Sequence, residues 1–396
     1  MTEDDASAGL LRQLRAATEP APVHPWCAGA VVLAGCGRDV VLHEAVGWAL
    51  RYSGYDAQAD RGVELPRERW IPMRRDTVFD LASLTKPFTA IAALQAIERG
   101  TIALDGQLGA YVPRLTAAAD HRITVRQLLT HTSGLRAELP LYEYRGPERR
   151  LARLAEEEPL TEPGSTYRYS DLNPLLLQHV LERTTGRSLA RLVRDGITRP
   201  LGMTSTRYCP PPSWRPRIAA TEDQRRPWGR LDRGLVHGVV HDENAYAMGG
   251  VAGHAGLFST AADLGALCRA LLDGGAGVLA PASVRLMLTD AGIPGRSQGL
   301  GFELGQPWFM GELAGPRTAG HTGFTGTSLV VDFDSGRYVV LLANAVHPVR
   351  TWRQGNAPRA DAATWLARYG HGSPRSRVGN DCHNVTQGLG GENRFQ

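Results

Sequence analysis

Two short apolar runs, 28–33 and 40–46, lie on either side of Gly35-Cys36-Gly37-Arg38-Asp39. Apolar runs around a glycine-rich turn predict a β-hairpin. The same pattern returns late in the chain, where 328–333 and 338–343 flank Asp334-Ser335-Gly336-Arg337 and predict a second hairpin. Between the two hairpins the period changes. Phe88, Ile91, Leu94 and Ile97 recur at helical spacing, which predicts a helix running from Ser83 to about Arg99. Gly100 follows it and ends it, as a C′ glycine does. Helical patterns also cover 124–130, 148–157, 173–185, 188–195, 261–273, 281–289 and 359–369. Residues 1–20 read as a helical leader and 51–75 as a polar, Arg-rich surface excursion. From 371 on, Gly, Asn and Ser dominate, and this tail is expected to be disordered.

Strands at both ends with helices between predict an α/β fold. The economical architecture is one antiparallel sheet built from both chain ends and flanked by helices. A helical subdomain would then be inserted at about 100–290. The expected organisation is a leader over 1–24, one catalytic domain over 25–370 and a tail over 371–396. The glycine-dense loop 249–256 lacks the strand-before, helix-after setting of a nucleotide fingerprint. It reads instead as a tight backbone crossing near a pocket.

Composition narrows the function classes. With 42% apolar and 21% charged residues, the chain matches ordinary globular proteins. Net charge is +4 and the arginines are dispersed as single residues or pairs, so no basic stripe supports a nucleic-acid partner. No run approaches the roughly 20 apolar residues of a membrane span. The acidic, polar start Met-Thr-Glu-Asp-Asp-Ala-Ser carries no secretory pattern, and a cytoplasmic location is expected. The five cysteines, at 27, 36, 209, 268 and 382, have no metal-ligand spacing and are expected to be free thiols. Nothing in the sequence sets an oligomeric state.

One cation stands apart. Of the 44 Lys and Arg residues only Lys86 is a lysine. Arginine replaces lysine on solvated surfaces but cannot give up its proton near neutral pH. A lysine kept at one place therefore points to an amine whose proton matters. Lys86 follows Ser83 by three residues, which puts both side chains on one face of the predicted helix. A hydroxyl is a weak nucleophile until a base takes its proton, and burial would lower the pKa of such an amine. Tyr169 and Asp171 alternate in an extended segment ahead of the 173–185 helix, and a tyrosine hydroxyl can relay a proton. Gly320-His321-Thr322-Gly323-Phe324-Thr325-Gly326 leads into the late hairpin. There His321 and Thr322 would donate to a substrate carbonyl or carboxylate.

These three motifs, S-x-x-K, Y-S-D and H-T-G in that order, resemble the serine β-lactamase and penicillin-binding-protein superfamily, in its class C-like branch. The flanking segments 123–135, 200–203 and 253–260 resemble that branch too. The resemblance implies that Ser83 is the acyl-enzyme nucleophile, with Lys86 activating it or holding the proton network. It implies that Tyr169 is the general base or acid, and that the backbone N–H groups of Ser83 and Phe324 form the oxyanion hole. Asp171, His321, Thr322, Gly323 and Phe324 would line the substrate site. His321 stands where many members have Lys, and Asp171 where β-lactamases have Asn. A carboxylate only accepts where an amide can donate, so Asp171 counts against efficient β-lactam turnover.

The expected function is a serine hydrolase acting on a small ester or amide, with no metal and no organic cofactor. Three alternatives share the same residues: an acyltransferase, a D-Ala-D-Ala carboxypeptidase-like or β-lactamase-like enzyme, and a non-catalytic acyl-binding sensor. His241-Asp242-Glu243 has the composition of a metal site, but neighbours on a loop rarely converge on one ion. His131 and His254 read as structural.

Overall fold

The structure is a computed structural model that describes residues 3–20, 23–115, 117 and 120–370. The expected disordered tail lies outside the described residues. Both sequence-predicted hairpins form. The first pairs β1 (Gly29–Cys36) with β2 (Asp39–Leu50). The segment read as a polar excursion folds into a second hairpin, β3 (Tyr52–Asp56) and β4 (Arg61–Glu64), followed by short β5 (Ile71–Pro72) and β6 (Phe79–Asp80). Its strands are short, half-exposed and rich in Gly and charge. They therefore lack the apolar alternation by which strands are recognised. Later strands are β7 (Arg207–Tyr208), β8 (Leu257–Ser259), β9 (Glu303–Leu304), β10 (Thr318–Thr322), β11 (Ser328–Asp332) and β12 (Arg337–Ala343).

Seven strands form one sheet in the order β5-β2-β1-β12-β11-β10-β9, each paired antiparallel. Its centre is the pairing of β1 with β12, from Ala30 opposite Ala343 to Cys36 opposite Arg337. The α/β sheet built from both chain ends is thus present. Strand period 2 sorts its side chains into two cores. Val31, Leu33, Tyr338, Val340 and Leu342 face a large core shared with the Thr85–Glu98, Leu172–Thr185 and Ala261–Leu272 helices. Ala30, Val32, Ala34, Val339 and Leu341 face a smaller core under the Glu3–Ala16 and Ala357–Arg368 helices.

Between the strands of the main sheet, β6, β8 and β7 form a small sheet of their own. The span read as helical therefore contains β7 and β8. Among the described residues, no helix is long and apolar enough to cross a membrane. Cys27, Cys209 and Cys268 are free thiols. Cys36 is disulfide-bonded, which corrects the expectation of free thiols throughout. Sequence alone could not find this, because spacing does not encode which cysteines approach.

Candidate active site

The predicted helix over 83–99 begins two residues later as regular α-helix, at Thr85. Ser83 itself sits in a 3₁₀ turn, Ala82–Leu84, packed on the helix start. Ala82, just before it, has φ of +47°, a conformation that costs a non-glycine residue energy and persists only where neighbours enforce it. The neighbours are visible. The Asp80 carboxylate accepts from the Ala82 N–H at 2.8 Å and from the His241 N–H at 2.6 Å. The Leu81 N–H donates to the Leu257 carbonyl of β8 at 2.9 Å. On the other side, Thr325 and Thr327 hydroxyls donate to the carbonyls of Asp80 and Leu81 at 2.8 and 3.0 Å. The segment after the H-T-G motif thus clamps the serine turn.

Ser83 is half-buried at the mouth of this arrangement. Lys86 lies behind it, 3% exposed. The Nζ atom donates to Ser83 Oγ at 2.8 Å and to the His254 carbonyl at 3.4 Å. It also sits 2.7 Å from Asp171 Oδ1 and 4.8 Å from the centroid of the Tyr169 ring. The Tyr169 phenol is within hydrogen-bonding reach of both Lys86 and Ser83. Ser83, Lys86, Tyr169 and Asp171 therefore meet at one point.

The electrostatics overturn one expectation. Burial alone would lower the Lys86 pKa, but the Asp171 carboxylate and the Tyr169 phenol outweigh it and raise it. Lys86 is held as an ammonium. The departure from Asn to Asp causes this, because a carboxylate stabilises the charged amine where an amide would not. Burial pushes the Tyr169 pKa up, against the pull of Lys86.

His321 and Thr322 lie at the end of β10, beside Tyr169, whose ring centroid is 6.2 Å from that of His321. His321 is buried, and burial with the Lys86 charge pushes its pKa down to about 3. Its Nδ1 lies 2.8 Å from the Thr322 carbonyl. A carbonyl only accepts, so that nitrogen carries the proton and Nε2 is an acceptor. His321 was expected to donate to substrate; its one N–H is already used. It also cannot supply the charge of the lysine that it replaces. Gly323 must be glycine: a Cβ there would lie 2.0 Å from Thr327 Oγ1 and 2.3 Å from the Leu81 carbonyl. Phe324 projects its ring outward, 41% exposed. It stacks on His241 at 5.6 Å and lies under Arg350 and Arg353 at 5.5 and 5.0 Å.

Several contributors were not singled out in the sequence. Arg359 is 3% exposed and donates to the Gly323 carbonyl at 2.7 Å. Burial and the nearby Arg353 push its pKa down to about 9. Asn173 and the Ser170 N–H donate to His131 Nδ1 at 3.0 and 3.1 Å. This fixes His131 as a neutral ring, and it packs against Tyr169 in a tilted pair with ring centroids 4.7 Å apart. Asp80 carried a signal that could have been read: an Asx side chain two residues before a strained turn commonly caps it. The His241-Asp242-Glu243 string does not converge. His241 pairs with Glu222 at 2.9 Å, Asp242 with His254 at 2.8 Å and Glu243 with Arg350 at 2.6 Å.

The Beta-lactamase family model matches residues 14–364. This chain belongs to the Beta-lactamase family. Among its relatives, a putative D-alanyl-D-alanine carboxypeptidase of Escherichia coli (strain K12) is 33% identical over 347 residues, covering 78% of this chain and 76% of the relative. A protein of the same description from Salmonella typhimurium is 32% identical over 351 residues, with the same coverage. Among solved structures, a class C beta-lactamase superposes with a TM-score of 0.70 at 20% identity, over 94% of this chain and 97% of its own. EstCE1, described as a hydrolase with promiscuous acyltransferase activity, superposes with a TM-score of 0.67 at 24% identity, over 93% and 99%. These two likenesses concern the fold. The Beta-lactamase family is one of serine hydrolases and acyltransferases.

Proposed function

We propose that this chain is a serine acyl-transfer enzyme that takes the acyl group of a small ester or amide onto Ser83 and releases it to water. The observation that carries the reading is the contact of Ser83 Oγ with Lys86 Nζ at 2.8 Å, with Tyr169 in reach of both. A nucleophile joined to a charged donor and a phenol has the parts for addition and for leaving-group protonation. The N–H groups of Ser83 and Phe324 are the oxyanion donors in this reading. Phe324 and the arginines around it form the rim where substrate enters.

A second reading, D-Ala-D-Ala carboxypeptidase-like amide cleavage, is favoured by the description of the 33% identical relative. Side-by-side turnover of a nitrophenyl ester and an acyl-D-Ala-D-Ala peptide separates the two. The primary test is labelling with a fluorophosphonate probe. Wild type should take up one equivalent, mapped to Ser83 by mass spectrometry, and Ser83→Ala should take up none. Turnover in the alanine variant should fall by about 10⁴-fold or more. An alanine variant that still labels and turns over removes Ser83 as the nucleophile.

A further inference from the structure

The serine needs a proton acceptor, and the usual candidates around it are spoken for. Lys86 is already an ammonium. Tyr169 is a buried phenol. His321 and His131 each have one nitrogen committed to a neighbouring backbone or amide group, and neither ring hydrogen-bonds to Ser83. His254 meets Lys86 through its carbonyl, and its ring pairs with Asp242 at 2.8 Å. One group remains within reach of Ser83 through Lys86. Ser83 Oγ lies 2.8 Å from Lys86 Nζ, which lies 2.7 Å from Asp171 Oδ1. Asp171 Oδ1 is buried and accepts no hydrogen bond among the described residues, so the ion-pair contact with Lys86 is what holds it, while the Asp171 side chain as a whole is 23% exposed.

We propose that Asp171 is the terminal proton acceptor for Ser83, acting through Lys86 as a two-step relay. This rests on the acyl-transfer reading above. Lys86, which donates to Ser83 Oγ as an ammonium, first releases a proton to the Asp171 carboxylate and so gains a lone pair on Nζ. As Ser83 Oγ then forms its bond to the acyl carbon, its O–H bond breaks and the proton passes to that amine. Lys86 is an ammonium before and after, Asp171 becomes a carboxylic acid, and the former carbonyl oxygen carries the negative charge. When the acyl–leaving-group bond breaks, the leaving group takes a proton from the Tyr169 phenol. The phenol is refilled from Asp171 through Lys86. The relay gives the proton to Asp171, so acylation does not wait for the amine to lose its proton to solvent. In this reading Asp171 replaces a substrate-facing amide and trades recognition of a substrate carbonyl for control of the lysine.

The test is the pH dependence of fluorophosphonate inactivation, with folding checked by circular dichroism. Wild type should keep its rate from neutral pH into the acid range. Asp171→Asn should lose at least about 100-fold in the acid range, within the usual span of acid–base contributions. It should recover as pH rises, because an unpaired Lys86 must itself be deprotonated. Asp171→Asn with wild-type rate and an unshifted acid limb overturns the relay while leaving Ser83 as the nucleophile. Failure of the acyl-transfer reading is distinct: wild type itself would not label at Ser83. Should the variant not fold, the solvent-isotope inventory of wild type decides. A bowed dependence on deuterium fraction, from two protons in flight, supports the relay, and a linear one overturns it.

Discussion

At the scale of single residues, Lys86 and Asp171 are an energetic unit. Lys86 is 3% exposed and its charge is balanced at 2.7 Å. Deleting one partner of such a pair leaves the other charge uncompensated, and this is the expensive change; deleting both is far cheaper. Lys86→Met should destabilise the fold by about 3 kcal/mol. Adding Asp171→Asn to it should recover most of that loss. Urea denaturation of the two variants and the wild type closes the cycle. A double variant no more stable than Lys86→Met would show that the pair is not coupled. The solitary lysine was legible in the sequence as a residue set beside Ser83, and the structure brings the two together at 2.8 Å. The direction of its pKa shift was not. That direction depends on which oxygen comes within 3 Å of Nζ, and the identity of residue 171 matters only once folding brings it there.

At the scale of elements, the site is a junction of three segments: the serine turn, the Tyr169 segment and the β10–β11 turn. Their clamps pass through backbone atoms: Thr325 and Thr327 to the carbonyls of Asp80 and Leu81, and Arg359 to that of Gly323. Gly323→Ala tests the junction. The added Cβ would meet Thr327 Oγ1 at 2.0 Å and the Leu81 carbonyl at 2.3 Å, and the second is backbone that cannot rotate away. Overpacking of this kind costs about 1–3 kcal/mol. Moving Leu81 also moves Ser83, so fluorophosphonate inactivation should slow by at least about tenfold. An alanine variant with wild-type inactivation rate would mean that the clamp does not position the serine. The long apolar hairpins and most helices were legible because their period is local. The β3–β4 hairpin, the 3₁₀ turn under Ser83 and the role of Arg359 were not. Each is decided by partners far away in sequence, such as Gly323 for Arg359.

At the scale of the whole molecule, the chain ends close on each other. Residues 30–36 pair with 337–343, so the central sheet forms only after nearly the whole chain has been gathered. His347, just beyond β12, fastens this closure. Its Nε2 accepts from the N–H groups of Arg51 and Tyr52, both at 3.2 Å, and its Nδ1–H donates to the Thr221 carbonyl at 2.8 Å. It thus joins three segments of the chain as a neutral ring, and protonating Nε2 would replace an acceptor by a donor facing two N–H groups. Burial pushes its pKa down to about 4, against roughly 6.5 in an unfolded chain. The unfolded state therefore binds a proton between these values that the folded state does not. The stabilisation is fully present above about pH 6.5 and is lost as pH falls towards 4. The loss from this one ring is on the order of 3 kcal/mol. His131 and His321, also with lowered pKa values, add to the slope in the same direction. His347→Gln isolates the contribution of His347. The variant should be less stable than wild type at pH 8 and should fall less steeply between pH 6.5 and 4. Urea denaturation at a series of pH values reads both slopes, and equal slopes would mean that His347 does not couple the closure of the sheet to pH.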